Sequence, residues 1–137
     1  MSRRTLTIYL AIIVSVCTVR PALTGTTATM PILVEIWHVG DDGLSERLAD
    51  SVEAAFAHSP DFETSTGRRP GTLVMTIPSN VEWTRVGSRL KARYIVEFST
   101  IDGKSLGRHT GFCWEDDLAQ CSEQIMKNAL AAARKLH

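Results

Sequence analysis

The chain lacks the short motifs by which most enzymes declare their chemistry. It has no glycine-rich phosphate cradle, no glycine–serine nucleophile elbow and no paired-histidine zinc helix. Its histidines stand apart, at His38, His58, His109 and His137. Long apolar runs are missing too: the longest, Leu6 to Val16, is about eleven residues, against the roughly 20 a bilayer-spanning helix needs. Basic and acidic residues number fifteen each, so there is no cationic excess of the kind that nucleic-acid binders carry. Cysteine is scarce, with three in the chain. No internal repeat or low-complexity tract is present. Catalysis by a known motif, cofactor binding and nucleic-acid binding are therefore not expected, and the informative features lie elsewhere.

The first is at the start of the chain. Ser2-Arg3-Arg4 is a short positive segment, the apolar run follows, and Arg20-Pro21 ends it before the small residues Gly25 to Ala28. A basic start, a short apolar stretch and a small-residue exit together make a secretory signal. Residues 1–28 are read as a cleavable signal peptide, with cleavage after Ala28 preferred and Gly25 the second site. Val14-Ser15-Val16-Cys17 is similar to a bacterial lipoprotein box, but the branched Val16 stands where such boxes carry Gly, Ala or Ser. The expected location is the periplasm or the extracellular space, with no stable membrane span after cleavage.

Cleavage changes both counts. Losing Cys17 leaves Cys113 and Cys121, an even pair best read in an oxidising compartment as a disulfide. Losing Arg3, Arg4 and Arg20 leaves twelve basic residues against fifteen acidic, a formal net charge of −3. Residues 29–137 are long enough for one core and too short for two.

Along that domain, Pro31 to His38 has the β-branched, apolar composition of a strand buried on much of both faces. Asp41 or Asp42 then supplies a helix N-cap. Leu44, Leu48, Val52, Ala55 and Phe56 follow helical spacing, until His58-Ser59-Pro60 stops the helix. Phe62 to Ser65 is a short strand or an extended loop. Thr72 to Ile77 alternates as a strand, with Leu73, Met75 and Ile77 on one side. Val81 to Gly87 is either a strand or an ordered loop.

Arg89 to Trp114 reads as a hairpin turning at Asp102-Gly103. Its alternation puts Leu90, Ala92, Tyr94, Val96 and Phe98 with Gly107, His109, Gly111 and Cys113 on the core face. The other face carries Arg89, Lys91, Arg93, Ile95 and Glu97 with Leu106, Arg108, Thr110, Phe112 and Trp114. Asp117 and Gln120 suit a loose capping box for a last helix whose stripe is Leu118, Cys121, Ile125, Ala129, Ala132 and Leu136. Cys113 on the sheet's core face and Cys121 on that stripe are thus placed to meet. The expectation is a two-layer α+β sandwich in the order β-α-β-(β)-β-β-α, a mostly antiparallel sheet of 4–5 strands with both helices on one face.

The run from Leu44 to Phe62, then Tyr94-Ile95-Val96-Glu97-Phe98, Asp102-Gly103-Lys104 and a final helix, resembles the amino-terminal domain of TolB. Related folds occur in curli-secretion CsgG and in penicillin-binding-protein activators. The resemblance covers most of the mature chain in topology rather than in a diagnostic motif. TolB's propeller is absent, and Cys113-Trp114 with Cys121 is no part of that pattern. The resemblance implies a non-enzymatic periplasmic module that binds other proteins.

The candidate contact surface is the outer sheet face. There Arg89, Lys91, Arg93 and Arg108 keep company with Phe112 and Trp114, a composition common in binding surfaces. It would dock an acidic protein or a glycan, or pair two subunits. The competing reading has Glu97 paired with Arg108 and the aromatics packed under Val81–Gly87. His38 with Asp41 and Asp42 has the residue types of a metal or acid–base site, but aspartates before a helix are more often caps. His109 reads as a buried or rim histidine. Glu115, Asp116 and Asp117 form an acidic cluster where the helix dipole favours them. No catalytic residue, metal ligand or cofactor is assigned. The expected function is an exported adaptor or binding module of the bacterial envelope; a secreted inhibitor or immunity protein of a hydrolase is the alternative.

Overall fold

The computed structural model describes residues 29–136. Residues 1–28, the expected signal peptide with Cys17, and His137 lie outside the described residues. The order is β1 (Ile32–His38), α1 (Gly43–His58), β2 (Phe62–Thr64), β3 (Leu73–Ile77), β4 (Glu82–Val86), β5 (Arg89–Thr100), β6 (Ser105–Trp114) and α2 (Leu118–Ala133). This is the expected α+β sandwich. Both segments left open between strand and loop join the sheet, as β2 and β4.

The sheet has six strands and is mixed. β1 lies parallel to both β2 and β3, with Val34 level with Thr64 on one side and Leu73 on the other. α1 carries the chain back along the sheet so that β2 starts level with Ile32 and runs parallel to β1. Residues 65–72 then cross β1, and β3 continues in the same direction from the level of Val34. β5 is antiparallel to everything it touches. Its second half pairs with β3, its first half with β4, and β6 runs along its far edge.

The β5–β6 register matches Tyr94 with Gly111, Phe98 with Gly107 and Ala92 with Cys113. The turn is one residue longer than the two-residue turn read from Asp102-Gly103. Gly103 N–H donates to Thr100 O, Thr100 N–H to Lys104 O, and Gly103 sits at φ 89°. That is the three-residue loop in which a left-handed glycine closes a bulge. A second irregularity between Phe98 and Ser99 leaves Leu106 unmatched on β6. Leu106, placed by simple alternation on the outer face, is buried instead.

The core lies between the sheet and the two helices. α1 contributes Leu48, Val52 and Phe56, and α2 contributes Cys121, Ile125, Ala129 and Ala132. The sheet answers with Val34, Leu73, Met75, Ile77, Ala92, Tyr94, Val96 and Phe98. Phe56 meets Phe62 edge-on, their centroids 4.7 Å apart. Between the helices, small residues allow Ser51 Oγ and Ser122 Oγ to come within 2.9 Å. Asp42 is the N-cap of α1, accepting from Leu44 N–H and Ser45 N–H. Asp117 does not cap α2 with its side chain. Its backbone carbonyl takes the Gln120 N–H instead, so the capping box is not formed.

Cys113 and Cys121 form a disulfide with Cα atoms 5.5 Å apart. It ties the end of β6 to the first turn of α2, both partners buried. β1 departs from its expected burial on both faces: Val34 is buried, but Trp37 and His38 are exposed. The helices cover one face of the sheet, and among the described residues no second layer covers the other.

Candidate functional site

The uncovered face is built from alternate residues of five strands. Pairing brings Trp37, Thr76, Glu97 and Arg108 into one row across β1, β3, β5 and β6. Nearer the first half of β5 the rows are Glu82–Arg93–Phe112 and Thr84–Lys91–Trp114. Every residue assigned from the sequence to the contact surface therefore lies on this one face. Trp37 joins them and was missed, because its strand read as buried on both sides. The signal was Glu35, which shares Trp37's side of β1 and marks it as the solvent side.

The cations on this face are held locally. Arg89 makes a two-pronged contact with Asp116, Nε to Oδ2 at 3.1 Å and NH2 to Oδ1 at 2.5 Å. Its guanidinium also stacks 4.3 Å from the Trp114 ring centre. The hydrogen-bonded carboxylate of Asp116 pushes the Arg89 pKa up, and Arg89 in turn draws that of Asp116 down. Arg93 NH1 bonds Glu82 Oε2 at 2.9 Å, and Arg108 Nε stands 3.5 Å from Glu97 Oε1. Lys91 Nζ lies 4.7 Å over Phe112. The Glu97–Arg108 pair of the competing reading is thus present, but its covered aromatics are not. β4 pairs alongside β5 instead of folding over the face, leaving Trp37 and Phe112 about half exposed.

The composition differs from a simple basic patch. Each arginine already has its carboxylate, so what the face offers outward is aromatic surface set among compensated charges. Exposed ion pairs of this kind contribute little energy. Their effect here is to fix the orientation of the side chains around the rings.

The chain from β2 to β3 crosses the outer side of β1 at one end of the face. Among the described residues, buried oxygens of Glu35, Ser65 and Thr72 have no hydrogen-bond partner there. A cleft of about 470 Å³ opens beside them between β1 and α1, with Trp37 on its rim.

The remaining polar candidates have local roles. Asp41 exchanges hydrogen bonds with Asn80, and Asp42 is spent on the cap. His58 Nδ1 lies 2.6 Å from Ala54 O at the end of α1. His109 is exposed at the rim of the core, edge-on to Phe98 at 6.0 Å. Within the acidic cluster, Glu115 is paired with Arg47 and Asp116 with Arg89. Among the described residues no three His, Cys, Asp or Glu side chains gather as a metal site would require, and no helix is long and apolar enough to cross a membrane.

No family model and no curated protein matches the sequence. Solved structures do match. Protein XCC0632 from Xanthomonas campestris, a DUF330 protein, superposes with a TM-score of 0.57 at 13% identity, over 76% of this chain and 86% of its own. A minor lipoprotein from Acinetobacter baumannii gives 0.51 at 9% identity, over 77% and 94%. A PelC variant from Paraburkholderia phytofirmans, in dodecameric form, gives 0.49 at 12%, over 74% and 85%. The likeness is one of fold. It is to this group of bacterial proteins and not specifically to TolB or CsgG.

Proposed function

We propose that this chain is an exported, non-enzymatic binding module of the bacterial envelope, and that its uncovered sheet face contacts a protein or glycan partner. The observation that carries the reading is the pairing of coverage with composition. Both helices pack on one side, while the other side presents Trp37, Phe112 and Trp114 among arginines that are already oriented. A flat face with rings held in place loses little conformational entropy on docking, which favours recognition. Because the arginines are compensated, aromatic contact rather than net positive charge is the main attraction. This shifts the expected partner away from a strongly acidic one.

An envelope setting is supported by two further points. A buried disulfide belongs to an oxidising compartment. One of the proteins this fold resembles is described as a minor lipoprotein. Residues 1–28 carry the export signal in this reading.

The test is affinity capture from a bacterial envelope extract, with the full chain as bait and mass spectrometry as readout. The double variant Arg93→Ala/Trp114→Ala should lose the captured partner while keeping the melting temperature within a few degrees. Equal capture by the double variant, or recovery of abundant contaminants alone, would rule out this face as the contact surface.

A further inference from the structure

The far side of β6 carries an unpaired ladder. Glu115 N–H donates to Leu90 O, which makes Leu90–Glu115 a hydrogen-bonded pair. The alternation of antiparallel ladders then assigns Ala92–Cys113, Tyr94–Gly111 and Val96–His109 to the bonded class as well. Arg108, Thr110 and Phe112 belong to the other class, so their N–H and C=O groups point away from β5. Among the described residues nothing pairs with them, since β6 pairs with β5 alone.

Long open edges are usually blunted by proline, lysine, bulges near the middle or a covering loop. β6 runs ten residues and has none of these in its central part. It contains no proline and no lysine, its irregularity lies at the Leu106 end, and its one charge, Arg108, is turned back on Glu97. The short β2 and the five-residue β4 present far less.

We propose that β6 is the seam of a two-fold dimer, in which it pairs antiparallel with β6 of a second copy and the two sheets become one. The strand itself favours a second copy over an unrelated partner. Thr110 is the outward-pointing residue nearest the middle, so an axis there gives the longest overlap. That register sets Thr110 against Thr110 of the partner subunit, and Arg108 against the partner subunit's Phe112 on both sides of the axis. Each of these facing pairs exchanges both of its hydrogen bonds. An axis at Arg108 would oppose like charges, which is unfavourable for directly facing residues. An axis at Phe112 would shorten the overlap.

The helix beside the seam is compatible. Gln120, Gln124, Asn128 and Ala131 recur at helical spacing on one side of α2 and carry no charge. Gln124 Oε1 accepts from Tyr94 Oη at 3.3 Å, which turns that side toward β6. Lys127, seven residues after Gln120, lies at the margin of that side, and Glu123 and Arg134 lie further round the helix. Lys135 Nζ donates to Leu106 O at the far end of β6, outside the central part of the edge. The dimer would carry the outer face unbroken across the axis and present two copies of it in one plane.

Sedimentation velocity of the full chain, purified without reductant, tests this. The expected result is a species of twice the monomer mass. Thr110→Pro removes an N–H that β5 does not use, so it should leave the monomer folded and weaken association at least about tenfold. Should that variant fail to fold, Thr110→Cys provides a second reading. Facing Cα atoms in a bonded antiparallel pair lie about 5.5 Å apart, within disulfide range. In a Cys17→Ser background, oxidation should therefore trap a covalent dimer with Thr110→Cys and not with Lys104→Cys. A monomer at about 0.1 mM, a larger ring, or a dimer untouched by Thr110→Pro and untrapped by Thr110→Cys would overturn the proposal. Arg93 and Trp114 take no part in the seam, so its failure is separable from that of the binding face.

Discussion

Reducing the Cys113–Cys121 bridge should cost the domain a sizeable part of its stability, and the amount follows from where the bridge sits. It spans eight residues. The chain-entropy relation for a loop of that length gives about 2.5 kcal/mol. The effect acts mainly on the unfolded chain, because the folded linker is held by other means. Glu115 N–H bonds Leu90 O, Asp117 N–H bonds Trp114 O, and Arg47 pairs with Glu115. The native fold should therefore survive reduction with its sheet and helices intact, but nearer its unfolding threshold. For a domain of about 100 residues the melting temperature should fall by roughly 10 °C.

Urea titration with and without a non-thiol reductant measures this. Reduction should lower the unfolding free energy by about 2–3 kcal/mol. Cys113→Ala/Cys121→Ala should fall further, by on the order of 1 kcal/mol for each buried sulfur. The double-Ala variant must be insensitive to reductant. A loss below about 1 kcal/mol on reduction would refute the entropic account. Free Cys113 and Cys121 thiols in a sample never exposed to reductant would refute the pairing itself, and with it the oxidising compartment.

Three further outcomes are expected. Gly111→Ala should destabilise by about 1–3 kcal/mol, because a Cβ there would fall 2.1 Å from Tyr94 Oη and 2.2 Å from its Cζ. A double-mutant cycle with Tyr94→Leu should recover most of that loss. Ser45→Ala should lower stability by about 1–3 kcal/mol in urea titration, since Ser45 Oγ accepts the buried Val81 N–H at 2.8 Å. Burial raises the Tyr94 pKa above its ordinary value of 10.0. The unfolded chain then releases that proton first, so the contribution is complete below pH 10 and declines as pH rises toward the folded-state value. Tyr94→Phe should flatten the alkaline limb of the stability–pH curve, and an unchanged limb would contradict the assignment.

Much of the fold was legible because its signals are local and mutually consistent. Leu48, Val52 and Phe56 share a helical face, and Ala92, Tyr94, Val96 and Phe98 share a strand face. Cys113 and Cys121 fall on facing core surfaces by two separate periodicities, in agreement with the pairing that their even count implies. The parallel pairing of β1 was not legible. Periodicity reports which way a side chain points, not which strand lies beside it, and three residues of β2 carry too little pattern to announce a partner. Leu106 failed for a related reason: one unmatched residue inverts the alternation, and a bulge has no composition of its own here.

The outer face shows the same division between what alternation can and cannot reach. The side shared by Arg89, Lys91, Arg93, Arg108, Phe112 and Trp114 followed from period two alone. Whether that side is open depended on β4. Its residues Glu82 to Val86 could have folded over Phe112 and Trp114 or extended the sheet, with the same local sequence. The two-residue turn at Gly87-Ser88, with Gly87 at φ 63°, settles it. Val86 pairs directly with Arg89, and a hairpin that tight keeps β4 in the plane of β5. Glu82 is thereby delivered to Arg93 as a lateral neighbour, and the rings remain uncovered. The openness of the face is thus a consequence of one glycine turn lying outside the face. Gly87 is also the position at which a substitution should alter the surface without touching any residue on it.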